Sequence, residues 1–246
     1  MNFGIPFKSP FGRPFGVPFL GVGGGITPPT GFVAKYSAFD PNDFSLVTGN
    51  SVNVWDDKTG ANNLTQGTSV TQPSLIENVN PALNKVEFDA NDFMEGLPPQ
   101  AGDFTYVFTG LDYDNTGTTR FLTEANSLAE RFYFQQNNGG QWVAKDVGGG
   151  FHIIGTPILK YSELVFKKEG AVLSLYGNGV LVGNFSGDVT GDTFNILRIG
   201  NSSNSINGSL QELYVYDRAL TQEEIDYFSY LRDENGNILL PPLLPS

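Results

Sequence analysis

The carboxylates at positions 87 to 92 are the part of this sequence whose residue types and spacing could perform chemistry. Glu87 and Asp89 are separated by one residue in a strand-like segment, and Asp92 follows shortly after. Alternate residues of a strand point to the same face of its sheet, so Glu87 and Asp89 would share a face. Two carboxylates on one face are an arrangement that glycoside hydrolysis uses.

Other catalytic groups are scarce. The chain has no cysteine and a single histidine, His152, which follows three glycines. A zinc site or a Ser-His or Cys-His nucleophile pair therefore has little support, and His152 is expected in a hairpin or loop. The glycine runs at 21–25 and 148–150 lack a Gly-Lys-Ser/Thr signature, so no phosphate-binding loop is predicted.

The composition favours an all-β protein without disulfides. The 246 residues include 30 glycines and 15 prolines, and 13% are aromatic. No run of about 18 apolar residues occurs, so no transmembrane helix is predicted, and the proline-interrupted N-terminus does not match a signal peptide. The net charge is −12 while residues 1–25 carry +2, so the remainder carries −14 and would repel nucleic acid.

Residues 1–25 form an arm in which phenylalanine and proline recur every four residues. A helix is excluded, because each proline would remove an amide hydrogen and clash with the preceding turn. In an extended chain the rings would share one face, about 13 Å apart, without a core of their own. We therefore expect the arm to dock on a partner protein or to bundle with copies of itself. The residues expected at this contact are Phe3, Phe7, Phe11, Phe15, Phe19 and Arg13.

The following residues predict a series of short strands. Turn residues separate apolar segments such as Phe32 to Phe39, Phe104 to Leu111 and Val172 to Tyr176. Asn178-Gly179 is a strong hairpin signal because both residues tolerate positive φ. Trp55 has the size expected of a core anchor.

The segment from Ser209 onward predicts a strand followed by a helix. Alternation is broken near Glu212, which indicates one slip or bulge before Tyr216. Thr221 and Glu224 have the spacing of a capping box. The residues that would share the buried face of the helix are Ile225, Phe228 and Leu231.

Several of these segments, in this order and spacing, resemble concanavalin A-like, LamG-type jelly-roll domains. The opening similarities are GFVAKYSAFDPNDFS, VNVWDDKTGANNLTQ, QPSL and NKVEFDANDFM, and the closing ones are LYGNGVLVG, LRIGNSS and INGSLQELYVYDRALTQEEI. The resemblance covers about residues 30–232 and implies an all-β, two-sheet antiparallel jelly-roll sandwich with one short C-terminal helix. The extended N-terminal arm precedes this region and lies outside the resemblance. We expect the arm and a glycine hinge at 1–25, the jelly roll at 26–234 and an extended Pro/Leu tail at 235–246.

The resemblance also bears on the acidic residues. Glycosidases of this fold place carboxylates in a pattern close to E-x-D-x-x-E, and here the last acid is the shorter Asp92. The segment is more similar to the family's non-catalytic F-D-x-x-D turn, so no enzyme activity is predicted. Such domains often bind calcium at a loop edge, for which Asp56, Asp89 and Asp92 are candidate ligands because hard oxygens suit calcium. Aspartates that only form turns or face solvent are the alternative.

Lectin sites combine an aromatic platform with amide and carboxylate groups. Two loops could supply such groups, and the candidate ligand residues are Asn138, Trp142, Asn201 and Asn204. Loops of this kind also serve a sandwich simply as turns between strands.

These observations predict a non-enzymatic structural protein of a tailed-phage virion, either a capsid decoration or a tail or fibre component. The resemblance suggests the setting, and the arm indicates anchoring to other virion proteins through residues 1–25. The protein would be a homo-oligomer, for example a trimer, assembled in the host cytoplasm. Its exposed domain would adhere to a surface glycan, without a nucleic-acid or membrane partner. The alternative is a standalone carbohydrate-binding lectin module.

Overall fold

A computed structural model describes residues 29–89, 91–98, 102–113, 118–124, 133–137, 141–145, 151–155, 161–186, 197–200 and 206–230. These residues form short antiparallel strands and one α-helix near the C-terminal end of the described chain. In chain order the strands are β1 (Phe32–Ser37), β2 (Phe44–Leu46), β3 (Val52–Trp55), β4 (Leu64–Thr65), β5 (Ser74–Ile76), β6 (Lys85–Phe88), β7 (Phe93–Leu97), β8 (Phe104–Thr109), β9 (Asp112–Tyr113), β10 (Thr119–Glu124), β11 (Tyr133–Gln136), β12 (Trp142–Lys145), β13 (Phe151–Gly155), β14 (Glu163–Glu169), β15 (Val172–Gly177), β16 (Val180–Ser186), β17 (Leu197–Gly200), β18 (Gly208–Leu210) and β19 (Glu212–Tyr216). The helix, α1, is Gln222–Tyr230.

The strands form three sheets. A six-stranded sheet has the order β1-β19-β8-β14-β15-β16, and a nine-stranded sheet has the order β13-β12-β11-β10-β17-β7-β4-β3-β2. A four-stranded sheet has the order β5-β6-β18-β9. Apolar residues from all three sheets belong to one buried cluster. The predicted all-β jelly-roll sandwich with one helix is therefore confirmed.

Aromatic contacts join the two large sheets across the core. Phe108 of the six-stranded sheet meets Phe121 of the nine-stranded sheet with ring centroids 6.0 Å apart, and Phe166 meets Phe121 at 6.3 Å. Trp55 is fully buried, as its predicted role as a core anchor requires, and its indole nitrogen donates to the carbonyl of Ser37 at 3.1 Å. Such edge-on and tilted ring pairs add to the stabilisation that comes from burial alone.

Helix α1 covers the outer face of the six-stranded sheet. Ile225 and Phe228 of the helix join a second apolar cluster with Val107 and Val165 of the sheet. All six residues of β8 are consequently buried, because its inner face meets the core and its outer face meets this cluster. Leu231, the third residue predicted for the helix face, lies outside the described residues.

The capping box predicted at the start of α1 is present. The Thr221 amide donates to Glu224 at 2.9 Å, and the Glu224 amide donates to the Thr221 hydroxyl at 3.3 Å. Both guanidinium terminal nitrogens of Arg218 also donate to Glu224, at 2.8 and 2.7 Å. The bonds from Arg218 hold the pKa of Glu224 down at about 2, because they favour its charged form.

Gln211 forms the junction between the four-stranded and six-stranded sheets. It lies between β18 and β19, where the alternation was predicted to slip near Glu212. Its amide donates to the carbonyl of Thr109 at 3.1 Å, and its own carbonyl accepts from Ala38 at 2.8 Å. Its side-chain amide donates to the carbonyl of Ala82 at 3.2 Å. One continuous strand would have kept both halves in one sheet, and the break at Gln211 sends them to two.

A similar break occurs in the segment from Lys85 to Gly96, which alternates like one strand. The structure divides it into β6 of the four-stranded sheet and β7 of the nine-stranded sheet, joined by a turn from Asp89 to Asp92. The predicted hairpin at Asn178-Gly179 is confirmed, with φ of 48° and 76° at the two residues. The arm and the C-terminal tail lie outside the described residues, and no described helix has the length and hydropathy needed to span a membrane.

The Glu224 contacts predict a measurable loss of stability. Glu224→Ala removes a capping bond and the partner of Arg218, so we expect the free energy of unfolding to fall by about 1–2 kcal/mol near neutral pH. Because the folded-state pKa of about 2 lies below the usual 4.5, this contribution should be complete above pH 4.5 and disappear as the pH falls toward 2. Urea unfolding as a function of pH measures both effects, with the exposed Glu223→Ala in the same helical turn as control. Equal losses in the two variants would contradict the prediction.

Candidate functional site

The outer face of the four-stranded sheet carries a row of polar side chains that the strand register brings together. Ser74 pairs with Glu87, Glu87 with Ser209, and Ser209 with Asp112, so one residue of each strand joins the row. Val86 and Phe88, the neighbours of Glu87, are fully buried, whereas Glu87 is exposed. Because successive residues face opposite sides of a strand, burial of the apolar pair turns Glu87 outward.

The turn from Asp89 to Asp92 lies at the end of this row. The Asp89 amide donates to Oδ2 of Asp92 at 2.9 Å, and the Asn91 amide donates to Oδ1 of Asp89 at 2.9 Å. The Asp92 amide completes the turn by donating to the carbonyl of Asp89 at 3.2 Å. One oxygen of each carboxylate therefore bonds to the backbone of its own turn. This is the local bonding expected of turn-forming aspartates.

Two adjoining cavities, each of about 360 Å³, lie over this part of the sheet. They share Glu87, Asn207 and Gly208. The other residues of the first cavity are Gln72, Ser74, Phe88, Asp89 and Asp92, and those of the second are Lys85, Asp112, Tyr113 and Ser209. Volumes in this range are typical of small-ligand sites. The structure thus brings Glu87, Asp89 and Asp92 to one place.

Glycine is required at position 208, between the two cavities. A Cβ atom there would lie 2.1 Å from the carbonyl oxygen of Asp112 on the neighbouring strand. Asn207, which precedes it, has a φ of 46°, in the left-handed region that asparagine tolerates better than most residues. This backbone places Asn207 at both cavities.

Gln72 contributes a buried amide to the first cavity. It is 7% exposed, and its Nε2 donates to the carbonyl of Gln66 at 2.6 Å and to Oδ1 of Asn53 at 3.3 Å. Its Oε1 is buried and has no hydrogen-bond partner among the residues that the structure describes. A buried acceptor without a donor destabilises the folded state. A ligand group that donated a hydrogen bond to this oxygen would remove that cost.

The electrostatics of the first cavity are dominated by acids. The pKa of Asp92 is raised to about 6, chiefly by burial and also by the neighbouring charge of Asp89, although the hydrogen bond from the Asp89 amide lowers it. Within the described part of the chain, no lysine or arginine forms an ion pair with Glu87, Asp89 or Asp92. The negative charges of this cavity therefore lack a basic partner there.

Asp56 does not join Asp89 and Asp92, so the three predicted calcium ligands do not form one site. Asp56 accepts from Nδ2 of Asn63 at 2.6 Å. Asn63 lies against Gly96, near the end of β7, whereas Asp92 precedes its first residue, Phe93. Among the residues with described positions, no group of three or more His, Asp or Glu side chains could hold a metal ion.

The neighbouring Asp57 has a structural role. It accepts from the amides of Lys35 at 2.9 Å, Thr59 at 3.0 Å and Asn62 at 3.2 Å. Burial alone would raise its pKa, but the bonds from Thr59 and Lys35 outweigh burial and lower it. The polar loop after β3 is thereby tied to the edge of β1.

Trp142 was predicted as a sugar platform, and this prediction is wrong. Its side chain is fully buried, with its ring 5.5 Å from that of Phe121 and 6.3 Å from that of Phe166. A ring at the centre of the core cannot stack on a sugar. The predicted ligands Asn138, Asn201 and Asn204 lie outside the described residues. Asn207, the last residue of the segment 201–207 that was predicted as a sugar-binding loop, lines both cavities.

His152 lies on β13, which pairs antiparallel with the preceding strand β12, so the prediction that it lies in a hairpin is confirmed. Its ring stacks on Phe185 of β16, with centroids 3.7 Å apart. The contact joins the nine-stranded sheet to the edge of the six-stranded sheet. This position favours a packing role for the histidine.

A family profile described as the concanavalin A-like lectin/glucanases superfamily, of laminin G type, matches residues 94–226, more than half of the chain. The chain belongs to this superfamily. The finding confirms the family resemblance for the jelly-roll domain. A comparison with curated proteins found no match.

Several solved structures have folds similar to that of this chain. Trypanosoma rangeli sialidase aligns with a TM-score of 0.60 at 18% identity, over 89% of this chain and 36% of the sialidase. Domain 4 of an extracellular arabinanase from Geobacillus stearothermophilus, in complex with arabinotriose, aligns with a TM-score of 0.55 at 16% identity, over 81% of this chain and 98% of that domain. A pentraxin from Limulus polyphemus aligns with a TM-score of 0.50 at 15% identity, over 63% of this chain and 86% of the pentraxin. At these low identities the similarities show only that the folds are alike. This chain spans about a third of the length of the sialidase.

Sequence reasoning missed Gln72, Ser74, Asp112 and Ser209 as site residues, whereas Asn207 belonged to the predicted sugar-binding loop. Ser74 and Ser209 pair with Glu87, and Asp112 pairs with Ser209, only through the register of four strands that are distant in the chain. The only local signal was the pair Asn207-Gly208, since both residues suit unusual backbone geometry. It indicates a turn and not a ligand.

The raised pKa of Asp92 predicts an unusual dependence of stability on pH. Between the usual carboxyl pKa of 3.8 and the folded value of about 6, the folded state binds a proton that the unfolded state does not. The contribution of Asp92 to stability is therefore greatest below about pH 4 and lost as the pH rises through about 6. Asp92→Asn removes this titration while its side-chain oxygen can still accept from Asp89. We expect the variant to gain stability relative to the wild type as the pH rises from about 4 to about 7. A difference in urea unfolding that stays constant over this range would contradict the prediction.

Proposed function

We propose that the domain is a non-enzymatic carbohydrate-binding module and that a glycan binds in the two cavities over the four-stranded sheet. The observation that carries the proposal is the pair of adjoining polar cavities, each of about 360 Å³, on a lectin/glucanase-superfamily fold. Their adjacency would allow two neighbouring sugar units to bind with Glu87 between them. A single small ligand would need only one cavity.

The side chains of the cavities suit sugar hydroxyls. Glu87 and Asp89 accept hydrogen bonds from hydroxyl donors, while Asn207 and Ser74 can both donate and accept. Bonds to a charged acceptor are shorter and stronger than those between neutral groups. The exposed carboxylate of Glu87 would therefore supply most of the polar affinity.

The turn geometry supports binding without hydrolysis. A two-carboxylate hydrolase needs one acid that can protonate the leaving oxygen and a second free carboxylate. The raised pKa of Asp92 would suit the first role, but its side chain is 6% exposed and bonds to the Asp89 amide. Asp89 is likewise bonded to the turn. Both aspartates accept hydrogen bonds that hold the turn together, and a catalytic role would require those bonds to break.

We further propose that this module is displayed on a tailed-phage virion and anchored by residues 1–25. The Phe/Pro repeat of the arm supports anchoring, and the resemblance of the body to virion adhesion domains suggests the setting. At the body, the carbonyl of Pro29 accepts from the Tyr216 hydroxyl at 3.2 Å and that of Thr30 accepts from Arg218 at 3.2 Å. The arm would thus start from a fixed point beside α1, join other virion proteins in the host cytoplasm and support a homo-oligomer.

Glycan binding is tested by an array screen followed by titration calorimetry on the saccharide that binds best. We expect Glu87→Gln to weaken binding at least tenfold, because it removes the exposed charge at the shared wall of the cavities. Glu223→Gln, on the far helix, removes the same charge without touching the cavities and should leave affinity unchanged. Absence of binding across the array, or equal affinities of the two variants, would contradict the proposal. Release of reducing ends from a bound saccharide would contradict the non-enzymatic role.

Anchoring is tested by deleting residues 2–24 and measuring molar mass by light scattering, together with incorporation into virions. We expect the deletion to abolish incorporation and oligomers, because the phenylalanine contacts are lost, while thermal stability and glycan affinity persist. A second variant with all five arm phenylalanines changed to serine keeps the chain length and should behave in the same way. Normal incorporation of either variant would contradict the anchoring role.

A further inference from the structure

The first cavity differs from an ordinary hydroxyl-binding site in its excess of acceptors. We propose that it binds a primary ammonium group on a sugar, so that the ligand is a glycan with free, non-acetylated amino groups. The inference rests on the proposed function, since it names the class of glycan that the two cavities would take.

Uncompensated negative charge is the first observation. Glu87 makes no side-chain hydrogen bond or ion pair within the described residues, and Asp89 and Asp92 have no basic partner there. A neutral sugar would leave these carboxylates without a counter-charge. An ammonium group would supply one, along with three donors from a single atom.

The Oε1 atom of Gln72 is the second and independent observation. Its own Nε2 is used by Gln66 and Asn53, neither of which lines the cavity, so the oxygen remains on the other side of the amide. Within the described part of the chain, this buried oxygen accepts no hydrogen bond. A ligand donor that bonded to this oxygen would remove the cost of the unsatisfied acceptor. Charge attraction to the carboxylates alone would not remove that cost.

A metal ion fits this cavity less well than an organic cation. Calcium takes six to eight oxygen ligands in a close shell, as a general rule. The described residues contain no cluster of three carboxylates or imidazoles that could form one. An ammonium group needs only about three acceptors at hydrogen-bond distance, which Glu87, Asp89 and Gln72 can offer from different walls.

The residues of the second cavity determine which end of the ligand binds in which cavity. It contains Lys85, which the first cavity lacks, and shares Glu87. The ammonium group of Lys85 would repel a second amine and favour hydroxyl or ring oxygens, which accept. The amine is therefore assigned to the first cavity and the adjoining sugar unit to the second.

Acetylation of the amine is the chemical change that separates this ligand from related glycans. An N-acetyl group removes the charge and two of the three donors, and adds bulk at the same atom. Specificity for the free amine should then be large, because the acetylated ligand would leave the buried Oε1 of Gln72 without a donor and the exposed carboxylates without a counter-charge.

The experiment compares four probes by titration calorimetry in mildly acidic buffer: a glucosamine tetramer, an N-acetylglucosamine tetramer, arabinotriose and spermidine. We expect the glucosamine tetramer to bind at least tenfold more tightly than each of the others. Glu87→Gln should reduce that affinity at least tenfold. Gln72→Met, which keeps the volume but removes the acceptor together with the Nε2 bonds to Gln66 and Asn53, should reduce it severalfold. Glu223→Gln is the matched control and should bind like the wild type. Thermal unfolding of every variant confirms that it is folded.

Each other outcome overturns a defined part of the inference. Equal or tighter binding of a neutral saccharide that Glu87→Gln weakens would overturn the amine assignment while the glycan-binding function stands. Equally tight binding of spermidine would overturn the sugar and leave only charge attraction. Absence of binding by all four probes would overturn the inference, and the array screen then decides whether the proposed function fails with it.

Discussion

The position of Gln211 is the constraint on which the three-sheet arrangement depends. Its backbone bonds to Thr109 and Ala38 and its side chain bonds to Ala82, so one residue joins the six-stranded sheet, the chain after β1 and the loop before β6. The side chain also occupies the space over Gly110, where an added Cβ would lie 2.2 Å from its Oε1. Because the chain leaves one sheet and enters another at this residue, the neighbouring β18 is free to pair with β6 and β9.

That pairing creates the candidate site. The four-stranded sheet buries Leu75, Val86 and Leu210 in the common core, which fixes its register and turns Glu87 to the outer face. A shift of one residue would exchange the two faces, bury the carboxylate and expose the apolar residues. Hydrophobic packing on one side of the sheet therefore maintains the acidic surface on the other side. The burial of Leu75 and Leu210 therefore fixes the position of Glu87 on the strand between them.

Membership of the superfamily predicts the fold of this domain but not the ligand that it binds. The aligned sialidase, arabinanase domain and pentraxin share this fold at 15–18% identity, and sites on a shared fold can differ completely. In this chain the cavities are lined by turn aspartates and a buried glutamine, without an exposed aromatic platform among their described residues. Its ligand preference must therefore be argued from these side chains.

Local sequence patterns determined the elements of this protein. The capping box at Thr221 and Glu224, the Asn178-Gly179 hairpin and the break near Glu212 depend on neighbours in the chain, so short-range physics was enough to predict them. Burial of Trp55 also followed from its size. Trp142 was predicted at the surface because its asparagine- and glycine-rich neighbours look like a loop, and only packing against Phe121 and Phe166 shows that it belongs to the core.

Tertiary structure alone decided which acids meet. Asp56 and Asp92 are equally plausible as loop ligands in the sequence, but strand pairing places them near opposite ends of β7. Gln72 and Asn207 lie far from Glu87 in the chain and reach it through antiparallel register that no local pattern encodes. The sequence by itself determined the hairpin at Asn178-Gly179 and the start of the helix at Thr221, because these depend on residues a few positions apart. The site required long-range pairing, whose register is set by the burial of the whole core.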